Sequence, residues 1–183
     1  MTKILIPFEK SIGERRVSAT PETVKKLKNL GCEIYIEKSA GELSGFNDFS
    51  YKENGGIIFN DNEIEPWENA DIIFCIQCPD NKKLKNLKKG TLIIGLLNPF
   101  GNKDLVKLLS DYQLSAIALE LLPRISRAQS CDVLSSQANI AGYKSVLLAA
   151  SELDRYFPML MTAAGTVQPA KVVVLGGGVA GLQ

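Results

Sequence analysis

Six short apolar runs punctuate the first two thirds of the chain: KILIPFE (3–9), EIYIEKS (33–39), GIIF (56–59), DIIFCIQC (71–78), TLIIGLL (91–97) and SAIALELL (115–122). Segments of helical periodicity lie between most of them, clearest in TPETVKKLKNLG (20–31) and NKDLVKLLSDYQ (102–113). Strands that are apolar throughout have both faces covered. Strands that alternate with helices are joined by crossovers, and together these features predict an α/β, doubly wound parallel sheet of the flavodoxin or Rossmann kind. Local punctuation agrees with this. Thr20 reads as an N-cap with Pro21 at the first helical position, Glu22 falls in the first turn, and Gly31 closes the helix.

Bulk properties narrow the partners. The 183 residues suffice for one well-buried domain with a remainder, and 45% hydrophobic and 22% charged content is that of an ordinary globular protein. Lys and Arg number 21 against 20 Asp and Glu, so no footprint for nucleic acid or an anionic membrane is expected. The densest basic stretch, NKKLKNLKKG (81–90), carries Leu84 and Leu87 under its lysines and reads as a solvated helix face rather than a binding patch. Cys32, Cys75, Cys78 and Cys131 are scattered and no apolar leader opens the chain, which points to a reducing, cytosolic setting. CIQC (75–78) offers a redox or zinc pair only on paper. It sits inside a strand, where residues three apart should point to opposite faces, so no metal site is expected.

The texture changes after residue 135. SSQANIAGYKSVLLAASELDRYF (135–157) reads as a long helix starting at a serine cap and apolar on two sides, which suggests a sandwiched connector; AAGTVQPA (163–170) reads as a loop. KVVVLGGGVAGLQ (171–183) then begins a new unit. A β-branched strand, Lys171 to Leu175, runs into Gly176, Gly178 and Gly181 in G-x-G-x-x-G spacing. Such glycines permit the tight turn, the approach of backbone to a pyrophosphate and close packing of helix on strand, with Val179 and Ala180 opening the helix toward the phosphates. Gly176, Gly178, Val179, Ala180 and Gly181 are therefore cofactor-binding candidates; a Gly-rich turn without a ligand is the alternative. The acidic residue expected about 20 positions further on would fall past Gln183. The expected organisation is an N-terminal α/β domain at 1–135, a connecting helix and loop at 136–164, and the truncated start of an NAD-binding Rossmann domain at 165–183.

RISRAQSCD (124–132) concentrates polar side chains at the mouth of the last strand, in a chain with no histidine. It is either a polar strand-to-helix connection or a ligand-holding loop. ERRVSATPETVKKLKNLG, RISRAQSCDVLSSQANIAGYKSV and KVVVLGGGVAGLQ together resemble domain I of the proton-translocating NAD(P) transhydrogenase alpha subunits, and less closely the alanine dehydrogenases. That resemblance covers the whole chain. It implies that Arg124, Gln129 and Asp132, with Ser135 just after them, surround the nicotinamide of NAD(H), and Arg127 is a second candidate partner for Asp132. It further implies NADP(H) on a partner domain, a separate membrane domain in the same complex, a homodimer, and a peripheral position facing the cytosol or matrix. The family has methionine or leucine where Cys131 stands.

The two branches differ in the chemistry they require. An amino-acid dehydrogenase must move protons on an imine and a carbinolamine, and the resemblance places its histidine at Asn98 and its lysine at Gln77. Arg16 matches an arginine that holds the substrate carboxylate in that branch, and it is expected to be structural here. Hydride transfer between two nicotinamides needs no proton donor; it needs two rings held face to face with water excluded. A histidine-free site rich in amide and ion-pair groups suits that reaction, and an alanine dehydrogenase-like enzyme or a non-catalytic nucleotide-binding module are the alternatives. With most of a second domain expected to be missing, residues 1–183 alone should bind NADH weakly in a fluorescence titration; submicromolar binding would contradict that domain division.

Overall fold

A computed structural model describes residues 1–183, which form two compact units, Met1–Leu122 and Pro123–Gln183. In the first unit the chain runs β1 (Lys3–Ile6), α1 (Pro21–Asn29), β2 (Glu33–Glu37), α2 (Asp48–Glu53), β3 (Ile57–Phe59), α3 (Glu65–Asn69), β4 (Ile72–Gln77), α4 (Asn81–Leu84), β5 (Leu92–Leu96), α5 (Lys103–Asp111) and β6 (Ser115–Ala118). The strands pair in the order β3-β2-β1-β4-β5-β6, and every pairing is parallel. All six apolar runs thus became strands of one doubly wound sheet.

Register explains why the runs had to be apolar on both sides. One row across the sheet reads Tyr35, Leu5, Ile73, Ile93 and Ala116, and the next reads Ile34, Ile4, Ile72, Leu92 and Ser115. Successive side chains point to opposite faces. Leu5, Ile73 and Ile93 therefore join a core with Trp67, Leu84 and Leu105 on one face, while Ile4, Ile6, Ile34 and Ile36 join Val24 and Tyr51 on the other. Each such fully buried aliphatic side chain contributes about 1.5–3 kcal/mol relative to exposure.

Helix starts follow the sequence signals. The Thr20 hydroxyl accepts from the Thr23 N–H at 3.3 Å, and Asn102 Oδ1 accepts from the Leu105 N–H at 3.1 Å. Gly31 closes the turn after α1 at φ +85°, a conformation that costs glycine little. The lysine-rich stretch is less helical than its spacing suggests: α4 ends at Leu84, although Leu84 and Leu87 are buried. Lys83 also leaves the solvated face, pairing with Asp61 at 2.7 Å and lying 5.0 Å over the Trp67 ring. The expectation that Cys75 and Cys78 face opposite ways does not hold. The β4–β5 register shifts between Phe74 and Gln77, and both thiols contact the same core cluster.

In the second unit a 3-10 turn (Ser126–Cys131) leads into α6 (Val133–Glu152), followed by β7 (Leu160–Thr162), β8 (Gly165–Val167) and α7 (Val179–Leu182). Several expectations fail here. The cap of the long helix is Asp132, not Ser135, because it is the Asp132 carboxylate that accepts the Ser135 N–H, at 2.9 Å. The 163–170 segment contains half of an antiparallel hairpin, with Thr162 paired to Gly165 across a two-residue turn. Lys171 to Leu175 form no strand; Val173 and Leu175 are 80% and 95% exposed, and an isolated extended segment has no ladder to join. Within its own unit α6 leaves Ile140, Tyr143 and Leu148 exposed, and Gly142 is its one buried residue.

The Tyr51 hydroxyl, fully buried, donates to the Ala19 carbonyl at 2.9 Å and ties α2 to the segment entering α1. Tyr51→Phe strands that carbonyl and should cost about 1–3 kcal/mol, read as a lower urea midpoint with an unchanged m value.

Candidate functional site

The polar loop acquires its shape from the start of α6. Asp132 Oδ1 accepts the Ser135 N–H at 2.9 Å, and the Ser135 hydroxyl donates to Asp132 Oδ2 at 2.7 Å. Those two hydrogen bonds, with the charge of Arg124 behind them, hold the Asp132 carboxyl below the usual aspartate range. Asp132 is thus ionised, immobilised and near Arg124, whereas Arg124, Arg127 and Gln129 present exposed side chains along the 3-10 turn and the residues before it. Arg127, a candidate partner of Asp132 by sequence, forms no ion pair with it. Cys131 is exposed, with its sulfur 3.8 Å from the Ser130 hydroxyl.

The glycine motif is folded as a turn. Gly176 sits at φ +111°, and a Cβ on Gly181 would overlap the Gly176 carbonyl oxygen, so both positions require glycine for conformational reasons. At Gly177 and Gly178 a Cβ would meet nothing within 4 Å, which leaves open space above the turn where Val179 begins α7. Gly142 of α6 lies against the Ala180 backbone, where a Cβ would collide, and the Asn139 amide donates to Gln183 Oε1. The second unit therefore places α6 directly beside the turn. Open, glycine-lined backbone at a helix start fits a phosphate group, and amide, carboxylate and guanidinium groups on the loop fit a carboxamide and ribose hydroxyls.

In the first unit the two positions that would carry proton-transfer groups in a dehydrogenase hold amides. Gln77 ends β4 and its Oε1 accepts from the Ser11 hydroxyl at 2.9 Å; Asn98 follows β5 at φ +46° and donates its N–H to Glu120. Arg16 is engaged inside its own loop: its Nε and Nη2 donate to the two oxygens of Glu14 at 2.7 and 2.6 Å, and Glu14 Oε1 also takes the Arg16 N–H. That fork holds the Glu14 carboxyl down at about 2.

One group escaped sequence reasoning. Glu9 and Glu37 are 8% and 2% exposed, yet they lie at the carboxyl ends of β1 and β2. Glu9 accepts the N–H groups of Ile76 and Gln77, and Glu37 accepts that of Phe8 at 2.9 Å. Burial raises both carboxyls. For Glu37 the charge at the end of the apolar stretch EIYIE was a usable signal. No group of His, Cys, Asp and Glu in the chain is arranged to hold a metal ion, and no helix is long and apolar enough to cross a membrane.

A depressed carboxyl contributes stability above its ordinary value and loses it as pH falls through its folded value, so the Glu14 contribution should fade between about 4.5 and about 2. In a carbon-detected titration Glu14 should stay ionised while exposed glutamates protonate, and Arg16→Gln should return it to their range. A Glu14 midpoint that does not move in Arg16→Gln would contradict the fork.

Comparison with known proteins places the chain in a family. Residues 5–141 match the family described as alanine dehydrogenase/PNT, N-terminal domain, and residues 145–183 match its C-terminal domain. The chain is 43% identical over 186 residues to the first part of NAD(P) transhydrogenase subunit alpha of Rhodospirillum rubrum, covering 99% of this chain and 48% of that one. Against alanine dehydrogenase 1 of Staphylococcus aureus (strain Mu50) identity is 31% over 138 residues, or 75% of this chain and 36% of the dehydrogenase. The crystal structure of a transhydrogenase from Sinorhizobium meliloti superposes with a TM-score of 0.92 at 42% identity, over 98% of this chain and 53% of that one. The chain spans about half the length of the Rhodospirillum protein. It belongs to the alanine dehydrogenase/PNT family, and its similarity runs further along the chain, and at higher identity, to transhydrogenase alpha subunits than to that dehydrogenase.

Proposed function

We propose that this chain is the NAD(H)-handling portion of a proton-translocating NAD(P) transhydrogenase, in which hydride passes directly between NADH on this protein and NADP⁺ on a partner domain. The observation that carries the reading is the loop at 124–135. It offers a fixed, ionised Asp132, a nearby Arg124 and exposed Gln129 and Arg127, while the positions suited to proton transfer are the amides Gln77 and Asn98.

The chain's own groups have positioning roles in this reading. Gln129 and Asp132 hold the carboxamide and ribose hydroxyls, Ser135 keeps the Asp132 carboxylate oriented, and Arg124 sets the local charge. The turn through Gly176, Gly178, Val179, Ala180 and Gly181, open above Gly177 and Gly178, receives the pyrophosphate. When bound, the nicotinamide supplies the hydride chemistry, so the protein's contribution is orientation and exclusion of water. The internal pairing of Arg16 with Glu14 disfavours an amino-acid dehydrogenase, since that guanidinium fork is already filled by a carboxylate. The subunit functions as a homodimer attached at the cytosolic or matrix side to a membrane domain supplied by the rest of the complex.

Asp132→Asn keeps an acceptor for the Ser135 N–H and removes the charge, so the fold should survive. In the complete subunit with its NADP(H)-binding partner, the variant should lose about tenfold or more in NADH affinity or in transhydrogenation rate, the range of a hydrogen bond to a charged group. Unchanged affinity together with unchanged rate would remove the loop from the mechanism.

A further inference from the structure

A cavity of about 230 Å³ opens at the carboxyl ends of β1, β2 and β4, with Glu9, Lys10, Glu37, Trp67, Asp80 and Lys83 among its lining. Separate segments beside it are tied together through one side chain. Asp61 Oδ1, in the turn after β3, accepts from Lys10 Nζ of the β1–α1 connection at 2.9 Å and from Lys83 Nζ of α4 at 2.7 Å. Lys83 Nζ also donates to the Asp61 carbonyl at 2.8 Å and lies 5.0 Å over the Trp67 ring. The Asp61 carboxyl is in turn within hydrogen-bond reach of the Glu37 carboxyl at the end of β2, whose Oε2 takes the Phe8 N–H.

Two carboxyl groups in contact repel when both are ionised, and neither can donate to the other unless one keeps its proton. The surroundings decide which one does. Glu37 is 2% exposed, and burial, with Asp61 beside it, raises its carboxyl. Asp61 is held down by Lys83 and Lys10, and its side chain is 63% exposed. Glu37 is therefore the donor and Asp61 the ionised acceptor. The charged groups around the pair are Glu9 and Lys10 from the β1 end and Asp80 and Lys83 from the start of α4, while α3 contributes the uncharged Trp67. With Glu37 protonated, the two ammonium groups are matched by the carboxylates of Asp61 and Asp80. Loss of the proton adds a buried negative charge to a cluster already balanced, before Glu9 is counted.

We propose that one proton shared between Glu37 and Asp61 is the clasp of a pH-sensitive switch: while it is held, Asp61 fastens the β1–α1 connection and α4 to the end of β2, and when it passes to solvent Asp61 turns to water and releases Lys10 and Lys83, widening the cavity. The folded state binds this proton more tightly than the unfolded chain does, so rising pH weakens the closed form. The chain has no histidine, the side chain that ordinarily changes charge between about pH 5 and 8, so a side-chain transition in that range reports a displaced group. The switch uses none of the residues assigned to NAD(H), and it stands or falls separately from the transhydrogenase reading.

Trp67 is the single tryptophan of the chain, so its fluorescence reports the departure of Lys83 from its ring. The full chain is titrated from about pH 4.5 to about 8.5 by fluorescence and by carbon-detected NMR of the Glu37 and Asp61 carboxyls. A fluorescence transition that coincides with Glu37 deprotonation, above the range of the exposed glutamates, is expected. Glu37→Gln keeps an acceptor for the Phe8 N–H and supplies an N–H to Asp61 at every pH, so it should abolish the transition. Asp61→Asn removes the neighbouring negative charge and should lower the Glu37 midpoint by about one pH unit or more. The proposal is overturned if Glu37 titrates with the exposed glutamates, stays protonated throughout, or loses its proton without a change in fluorescence. A transition that persists in Glu37→Gln, or a Glu37 midpoint unmoved in Asp61→Asn, overturns it equally.

Discussion

Leu5, Ile73 and Ile93 stand side by side on the three central strands, all fully buried, and everything else in the first unit is arranged around keeping that row dry. A parallel sheet exposes neither face, so each strand must send apolar side chains both ways and each crossover must return over one face. The carboxyl ends of the strands are the places this constraint leaves open. Polar residues collect there: Glu9 after β1, Glu37 at the end of β2, Gln77 at the end of β4 and Asn98 beyond β5. Burying carboxylates so near the core is tolerable because backbone N–H groups of neighbouring strand ends point at them, as Ile76 and Gln77 do at Glu9.

The second unit obeys a different constraint. Its side chains bury little, and its shape rests on local hydrogen bonding: the Asp132 cap, the Thr162 hydroxyl donated to the Gly165 carbonyl, and glycines that let backbones approach at Gly142 and Gly181. Local devices of this kind orient side chains without a core behind them. That is why Asp132 is both the start of a helix and a well-positioned acceptor, and why its two roles cannot be separated by inspection of the sequence.

The parts of the molecule legible in the sequence are those determined within a few residues of one another. The six strands, the Thr20 cap and the Gly31 stop follow from apolar runs and capping chemistry, and each is where the sequence predicts it. Sequence and structure part where distant segments decide. The facing of Cys78 depends on a register shift between β4 and β5, and the strand expected at Lys171 to Leu175 lacks a neighbour to pair with. The hairpin at Leu160–Val167 leaves no sequence signal because its three-residue strands are too short to show alternation. The loop at 124–135 was recognisable by its residue order, but not the cap that holds it. The cavity beside Trp67 gathers residues from the ends of three strands and from α3 and α4, so no single stretch announces it.

A protein that positions a nicotinamide and leaves proton chemistry out of the step must pass hydrogen from one cofactor to the other without exchange. On the transhydrogenase reading, the most direct measurement combines the complete subunit with the proposed NADP(H)-binding partner and NADH deuterated at C4. Direct transfer predicts that the label appears in NADPH without dilution by solvent hydrogen. Loss of the label to water, or incorporation of solvent deuterium when unlabelled NADH is used in heavy water, would contradict it.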